Sequence, residues 1–284
     1  MTTEDPLPDS ASRMLLKARG VNKRYTQRAP FSWRSFHVDA LIDVDLDLPA
    51  GSVTALVGES GSGKSTLASC IASLEKPDRG EIWFEGQLIS GCDDSLLAAL
   101  RPRIQMVFQD SARALNPKFT AAQIISEPLE IQRREAGPRL RSRACELMQD
   151  VGLSPDWADR HPLEFSGGQR QRSALARAIA LKPDLLILDE STSGLDLSTQ
   201  AQILNLLLDL QETHALTYLL VSHEFSLVQQ VADFIVVMQQ GRIIEHGTQA
   251  AVLGEPRHPH TRELLSSVRR VESGFMAARA GVGR

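Results

Sequence analysis

The chain has 284 residues, 42% of them hydrophobic, and a net charge of −4, enough apolar side chain for a sizeable core and no global basic field that would announce nucleic acid as a ligand. Three cysteines, Cys70, Cys92 and Cys145, are odd in number and far apart, which fits neither a disulfide framework nor zinc-ligand spacing and points to a reducing compartment. The most apolar runs, Leu185–Leu188, Tyr218–Val221 and Phe234–Met238, fall far short of the ~20 residues that cross a bilayer, and the acidic, Pro-interrupted first ten residues have no apolar core of a secretory signal.

Leu46–Val57 reads as two strands about the turn Pro49-Ala50-Gly51, the second running into a glycine-rich stretch. Thr66–Leu74 is helical in pattern. Glu81–Ile89 reads as a hairpin turning at Glu85-Gly86 and Ile104–Phe108 as another strand, and these short strands are expected to share one small β-layer. From about Asp110 to Gly168 the pattern is helical, in segments TAAQIISEPLEI, RLRSRACELMQDVG and SPDWADR separated by Pro and Gly. A regular alternation follows: helix Gln169–Leu181, strand Leu185–Leu188, helix Thr199–Gln211, strand Leu216–Val221, helix Phe225–Val231, strand Phe234–Met238. Short, wholly apolar strands between amphipathic helices predict an α/β fold with a parallel sheet covered on both faces. The expected layout is a flexible tail over 1–12, one domain over 13–268 with its core at 13–109 and 169–268 and a helical subdomain at about 110–168, and a second flexible tail over 269–284.

The run Gly58-Glu59-Ser60-Gly61-Ser62-Gly63-Lys64-Ser65, with Thr66 opening the helix behind it, satisfies G-x-x-x-x-G-K-[ST] between a strand and a helix. Backbone N–H groups and the positive end of the helix dipole converge on a phosphate there, and glycine removes the Cβ that would stand in the way. In that pattern Lys64 neutralises the β- and γ-phosphates and the Ser65 hydroxyl ligates Mg²⁺. A glycine-rich turn with a solvated lysine is the plain alternative, disfavoured by the strand before and the helix after. The strand Leu185–Leu188 ends in Asp189-Glu190, a carboxylate for Mg²⁺ followed by a base for the attacking water; taken alone, the pair could equally be two solvated acids.

These two motifs do not separate a transporter motor from a kinase or a GTPase. Phe165-Ser166-Gly167-Gly168-Gln169-Arg170-Gln171-Arg172, ending seventeen residues before the acidic pair and opening a helix, resembles the signature motif of ATP-binding-cassette proteins. The resemblance covers roughly Met14 to Val268. It implies a P-loop NTPase (RecA-like) core with a mostly parallel sheet, a small antiparallel β-subdomain and a helical insertion subdomain, working with ATP and Mg²⁺. It also implies that Ser166, Gly167, Gly168 and Gln169 of one subunit close over ATP held by the phosphate loop of another. Gln109 falls on the glutamine that senses Mg²⁺ and the attacking water, and His223 on the switch histidine that contacts the γ-phosphate. Ser193-Gly194-Leu195-Asp196 falls on the loop that crosses the dimer interface, and Tyr25 on the aromatic position that stacks on adenine. The resemblance thus gives catalysis to Glu190, His223, Gln109 and Lys64, and metal ligation to Ser65, Gln109 and Asp189.

Three stretches narrow the likeness to the ATPases of oligopeptide and dipeptide importers: Phe108-Gln109-Asp110 with Leu115-Asn116-Pro117, Ala201–Leu207 with Asp209-Leu210-Gln211, and Pro256–Leu265. The partners implied are a second cassette ATPase, identical or not, two transmembrane permease subunits and, indirectly, a solute-binding protein, with the chain peripheral on the cytoplasmic face of the membrane. A nickel or glutathione importer, or a soluble cassette protein outside transport, are the alternatives. The sequence departs from the family at Phe165 (usually leucine), Ser191 (proline), Gly194 (alanine) and Glu224 (aspartate), and from the subgroup at His260 (tyrosine).

Overall fold

Alternating side chains in LLKARGVNKRY and DALIDVDLDL build an antiparallel ribbon in the computed structural model of the chain, which describes residues 13–28, 35–108, 115–191 and 194–266. Strands β1 (Met14–Arg28) and β2 (Ser35–Pro49) pair from Met14↔Pro49 to Arg28↔Ser35, with irregular register near Lys23 and Leu41. The other edge of β1 carries β4 (Arg79–Phe84), which turns at Glu85-Gly86, both at positive φ, into β5 (Gln87–Leu88). This is the predicted hairpin, and a two-residue turn with both φ positive suits the twist of its strands. The four strands form one antiparallel sheet in the order β2-β1-β4-β5.

That sheet belongs to the first of two compact units, Met1–Leu67 with Lys76–Ser90 and Val221–Arg284. The same unit holds β3 (Val53–Val57), buried along its whole length, and β9 (Phe234–Gln239), which pair in parallel from Thr54↔Phe234 to Val57↔Val237. Edge strand β10 (Arg242–Thr248) returns antiparallel to β9. Ala55, Val57, Ile235 and Val237 pack with Phe225 and Val228 of the helix Phe225–Val231, with Val252 of the helix Gln249–Gly254, and with Leu265. The Glu245 carboxylate accepts the N–H groups of Arg257 and His258, fastening the terminal helical turn over 259–266 to β10.

The second unit is Ala68–Glu75 with Gly91–Leu220. Here β6 (Ile104–Val107) runs parallel to β7 (Leu185–Asp189), Ile104 opposite Leu185 and Val107 opposite Leu188, and β8 (Thr217–Ser222) is next to β7. The expectation that Ile104–Phe108 joins the hairpin layer is therefore corrected: its backbone continues a parallel ladder that a short apolar run does not disclose. β7 and β8 are buried at every position, as strands covered on both faces must be. Helices α3 (Ala121–Ile131), α4 (Pro138–Asp150) and α5 (Gly167–Ile179) pack on one another, α3 started by a reciprocal Thr120–Gln123 cap. Helix α6 (Leu197–His214) ends where Ala215 turns left-handed, and the buried Tyr218 hydroxyl donates to Leu207 O at 2.9 Å, with burial pushing its pKa up.

Candidate functional site

Strand β3 delivers the chain to Gly58, and helix α1 (Lys64–Ile71) takes it away, so Gly58–Gly63 is a loop between a buried strand and a helix N-terminus. Its curvature needs glycine at two places. Gly58 has φ +153°, and a Cβ there would lie 2.2 Å from Met238 O and 2.9 Å from Ser62 Oγ; Gly63 has φ +105°, and its Cβ would lie 2.3 Å from Ala40 O. No side chain fits in those spaces. Lys64 is only 4% exposed, and its ammonium sits inside the loop's own curve, donating to Gly58 O and Glu59 O at 2.8 Å each and reaching Ser62 Oγ at 3.4 Å. A buried ammonium at a helix N-terminus, ringed by glycines too crowded for any Cβ, is an anion-holding arrangement, and it fits a nucleotide phosphate.

The loop is backed by residues that motif reading missed. Gly241, at φ +79° in the turn between β9 and β10, donates its N–H to Ser62 O at 2.9 Å and accepts from Ile42 N–H at 2.8 Å. Ala40 O presses on both Gly63 and Gly241. The Gln240-Gly241 pair between two apolar runs was the available signal, since it marks a hairpin turn; its packing on a loop far away in sequence left no local trace. In the same unit, His223 follows β8 with its side chain 48% exposed and Nε2 3.9 Å from Glu224 Oε1. The Glu224 N–H donates to Ser222 Oγ at 3.0 Å. Tyr25 lies on β1 opposite Val38.

In the second unit Asp189 closes β7 with 7% exposure. Glu190 follows at φ +45°, a left-handed turn that takes the chain out of the strand. The Ser191 hydroxyl beside it is buried with no hydrogen-bond partner among the described residues. Ser166 caps α5: its Oγ accepts Gln169 N–H at 3.3 Å while Gln169 Oε1 accepts Ser166 N–H at 2.9 Å, so the helix begins at Gly167, two residues before the predicted start. Gly168 packs against Thr199 so tightly that a Cβ would lie 2.6 Å from its Cγ2, and Gly167 would contact Leu195 at 3.4 Å. Asp196 caps α6, accepting Thr199 N–H at 2.9 Å and Thr199 Oγ1–H at 2.8 Å, bonds that hold its carboxyl below the usual range. The structure thus brings the Ser166–Gln169 turn and the Asp196 turn together. Tyr25, Lys64 and His223 are in the other unit, and Gln109 and Ser193 lie outside the described residues. Gly194 has φ +80°, a conformation glycine takes without strain, which accounts for the departure from alanine there.

The family model described as ABC transporter matches residues 41–193. The dipeptide transport ATP-binding protein DppF of Haemophilus influenzae is 40% identical over 265 residues, 93% of this chain and 81% of that protein. The glutathione import ATP-binding protein GsiA of Salmonella paratyphi A is 42% identical over 255 residues, 89% of this chain and 41% of that longer protein. Among solved structures, the dimeric post-hydrolysis state of the ATP-binding cassette MJ0796 bound to ADP and Pi has a TM-score of 0.71 at 30% identity, covering 82% of this chain and 98% of that one. With the family model spanning more than half of the sequence and such identity along nearly all of it, the chain belongs to the ABC transporter family and is one of its ATP-binding cassettes.

Proposed function

We propose that the chain is the ATP-hydrolysing subunit of an importer for peptides. The observation that carries this reading is the sequestered Lys64 in a loop whose glycines Gly58 and Gly63 admit no Cβ. The likeness to a dipeptide transport ATP-binding protein supports the peptide class. Gly58, Glu59, Ser60, Gly61, Ser62, Gly63, Lys64, Ser65 and Thr66 hold the phosphates through backbone N–H groups and the ammonium, while Tyr25 stacks on adenine. Ser65, Gln109 and Asp189 would hold Mg²⁺, which supplies charge neutralisation at the phosphate oxygens when bound. Glu190 takes the proton of the attacking water, with His223 and Gln109 orienting that water. Ser166, Gly167, Gly168 and Gln169 close over nucleotide held by a second cassette, and the Asp196 turn packed on Gly168 stiffens that closing edge. Catalysis of this kind is positioning and charge stabilisation, so rigidity in these loops is the protein's contribution.

Among the described residues no helix is long and apolar enough to cross a membrane. In an importer of this family solute movement belongs to membrane-spanning permease partners, to which the cassette lends ATP binding and hydrolysis as a conformational cycle. Glu190→Gln is the direct test of the chemistry. It should bind ATP as the parent chain does and lose about a hundredfold or more in turnover; parental turnover would remove Glu190 as the base. Uptake of a labelled dipeptide by the complex in liposomes, abolished by the same substitution, tests the solute class.

A further inference from the structure

The Lys23 ammonium is 5.6 Å from the centroid of the Tyr25 ring, over its face. Two residues apart on β1, the side chains share one face of the strand. The ammonium is itself pinned: it donates to Lys76 O at 2.8 Å and lies 3.8 Å from the Asp78 carboxylate, and its side chain is 16% exposed. The neighbouring Arg24 N–H donates to the same carboxylate at 2.7 Å, so strand and loop are tied together at this level. A cation fixed over one face of a tyrosine does two things. It limits the rotamers of the ring, and it polarises the π-system, drawing charge toward the covered face and making the opposite one a better partner for an electron-rich base. The Arg24–Asp39 pair on the adjacent register position is engaged with itself.

We infer that Lys23 is a positioning residue for nucleotide recognition: it holds the Tyr25 ring so that a purine stacks on the face away from the ammonium, and its anchor on Lys76 O and Asp78 sets where that face stands. This rests on the reading of Tyr25 as the adenine platform. The test measures the dissociation constants of ATP and of inorganic tripolyphosphate for the full chain and for Lys23→Met, Lys23→Arg, Tyr25→Ala and the Lys23→Met/Tyr25→Ala pair. Lys23→Met, which keeps the aliphatic stem, should weaken ATP by about two- to fivefold and leave tripolyphosphate unchanged, with Lys23→Arg recovering much of the loss. In the Tyr25→Ala background the lysine substitution should have no further effect. Equal losses for ATP and tripolyphosphate, or a loss for ATP that persists without the ring, would overturn the coupling while leaving the phosphate-loop reading intact. If Tyr25→Ala alone left ATP affinity unchanged, the adenine platform and the role of Lys23 would both fall.

Discussion

A methyl group added to Gly58 would lie 2.2 Å from a backbone carbonyl, Met238 O, which cannot swing aside as a side-chain tip can. Gly58→Ala is therefore expected to distort the phosphate loop and weaken ATP binding by roughly tenfold or more, read by calorimetry, while Gly61→Ala, whose Cβ meets nothing within 4 Å, carries only the cost of its positive φ. The Asp196 carboxyl is lowered by its bonds to the Thr199 N–H and hydroxyl. A depressed carboxyl contributes stability above its unfolded value of about 3.9 and loses it as pH falls through the lower folded value. Asp196→Ala should thus unfold at a lower temperature than the parent at neutral pH, with the gap closing below about pH 3.9; a constant gap down to pH 2 would contradict that account. At this scale the sequence was legible wherever chemistry depends on spacing along the chain. The lysine, the acidic pair and the capping serine were readable from their neighbours. Ala40, Met238 and Gly241 were not, because what they do depends on which backbone atoms come close across the fold.

Among the elements, strands that are buried on both faces were the easiest to read, since apolar runs such as LLIL and TYLLV leave no other economical placement. The hairpin at Glu85-Gly86 was readable from its turn. The ribbon strand β1 was harder: charged and polar residues such as Lys17, Arg19, Asn22 and Arg24 dilute its alternation, and only pairing on both edges makes it a strand. Edge strand β10 has the same difficulty. The turn between β9 and β10 is the element with the sharpest functional consequence, because Gly241 bonds both to Ser62 O and to Ile42 N–H. Gly241→Ala, at φ +79° with Ala40 O 3.0 Å from its Cβ position, should weaken ATP binding more than Gly86→Ala does. Gly86 has a similar φ of +78° with nothing near it and serves as the control for backbone strain alone. Equal effects of the two substitutions on ATP affinity would mean that the turn does not support the loop.

For the whole molecule, two compact units are each built round parallel strands, and family resemblance extends through both. The α/β class and the parallel core were legible because period and burial agree over several successive elements. The membership of β6 in the sheet of β7 was not, since a four-residue strand, Ile104–Val107, does not state its neighbour. Relatives named for dipeptide and for glutathione transport lie at nearly the same identity, 40% and 42%. If the chain serves an importer as proposed, solute choice is expected to follow other subunits, so exchanging this cassette for a relative's should alter coupling and leave the transported solute unchanged. Every such step presupposes that the glycine loop grips a nucleotide. Titration of ATP into the parent chain and into Lys64→Ala measures this most directly. The buried, carbonyl-held ammonium predicts a loss of roughly ten- to a hundredfold in affinity with the fold retained, and an unchanged affinity for ATP in Lys64→Ala would contradict the account.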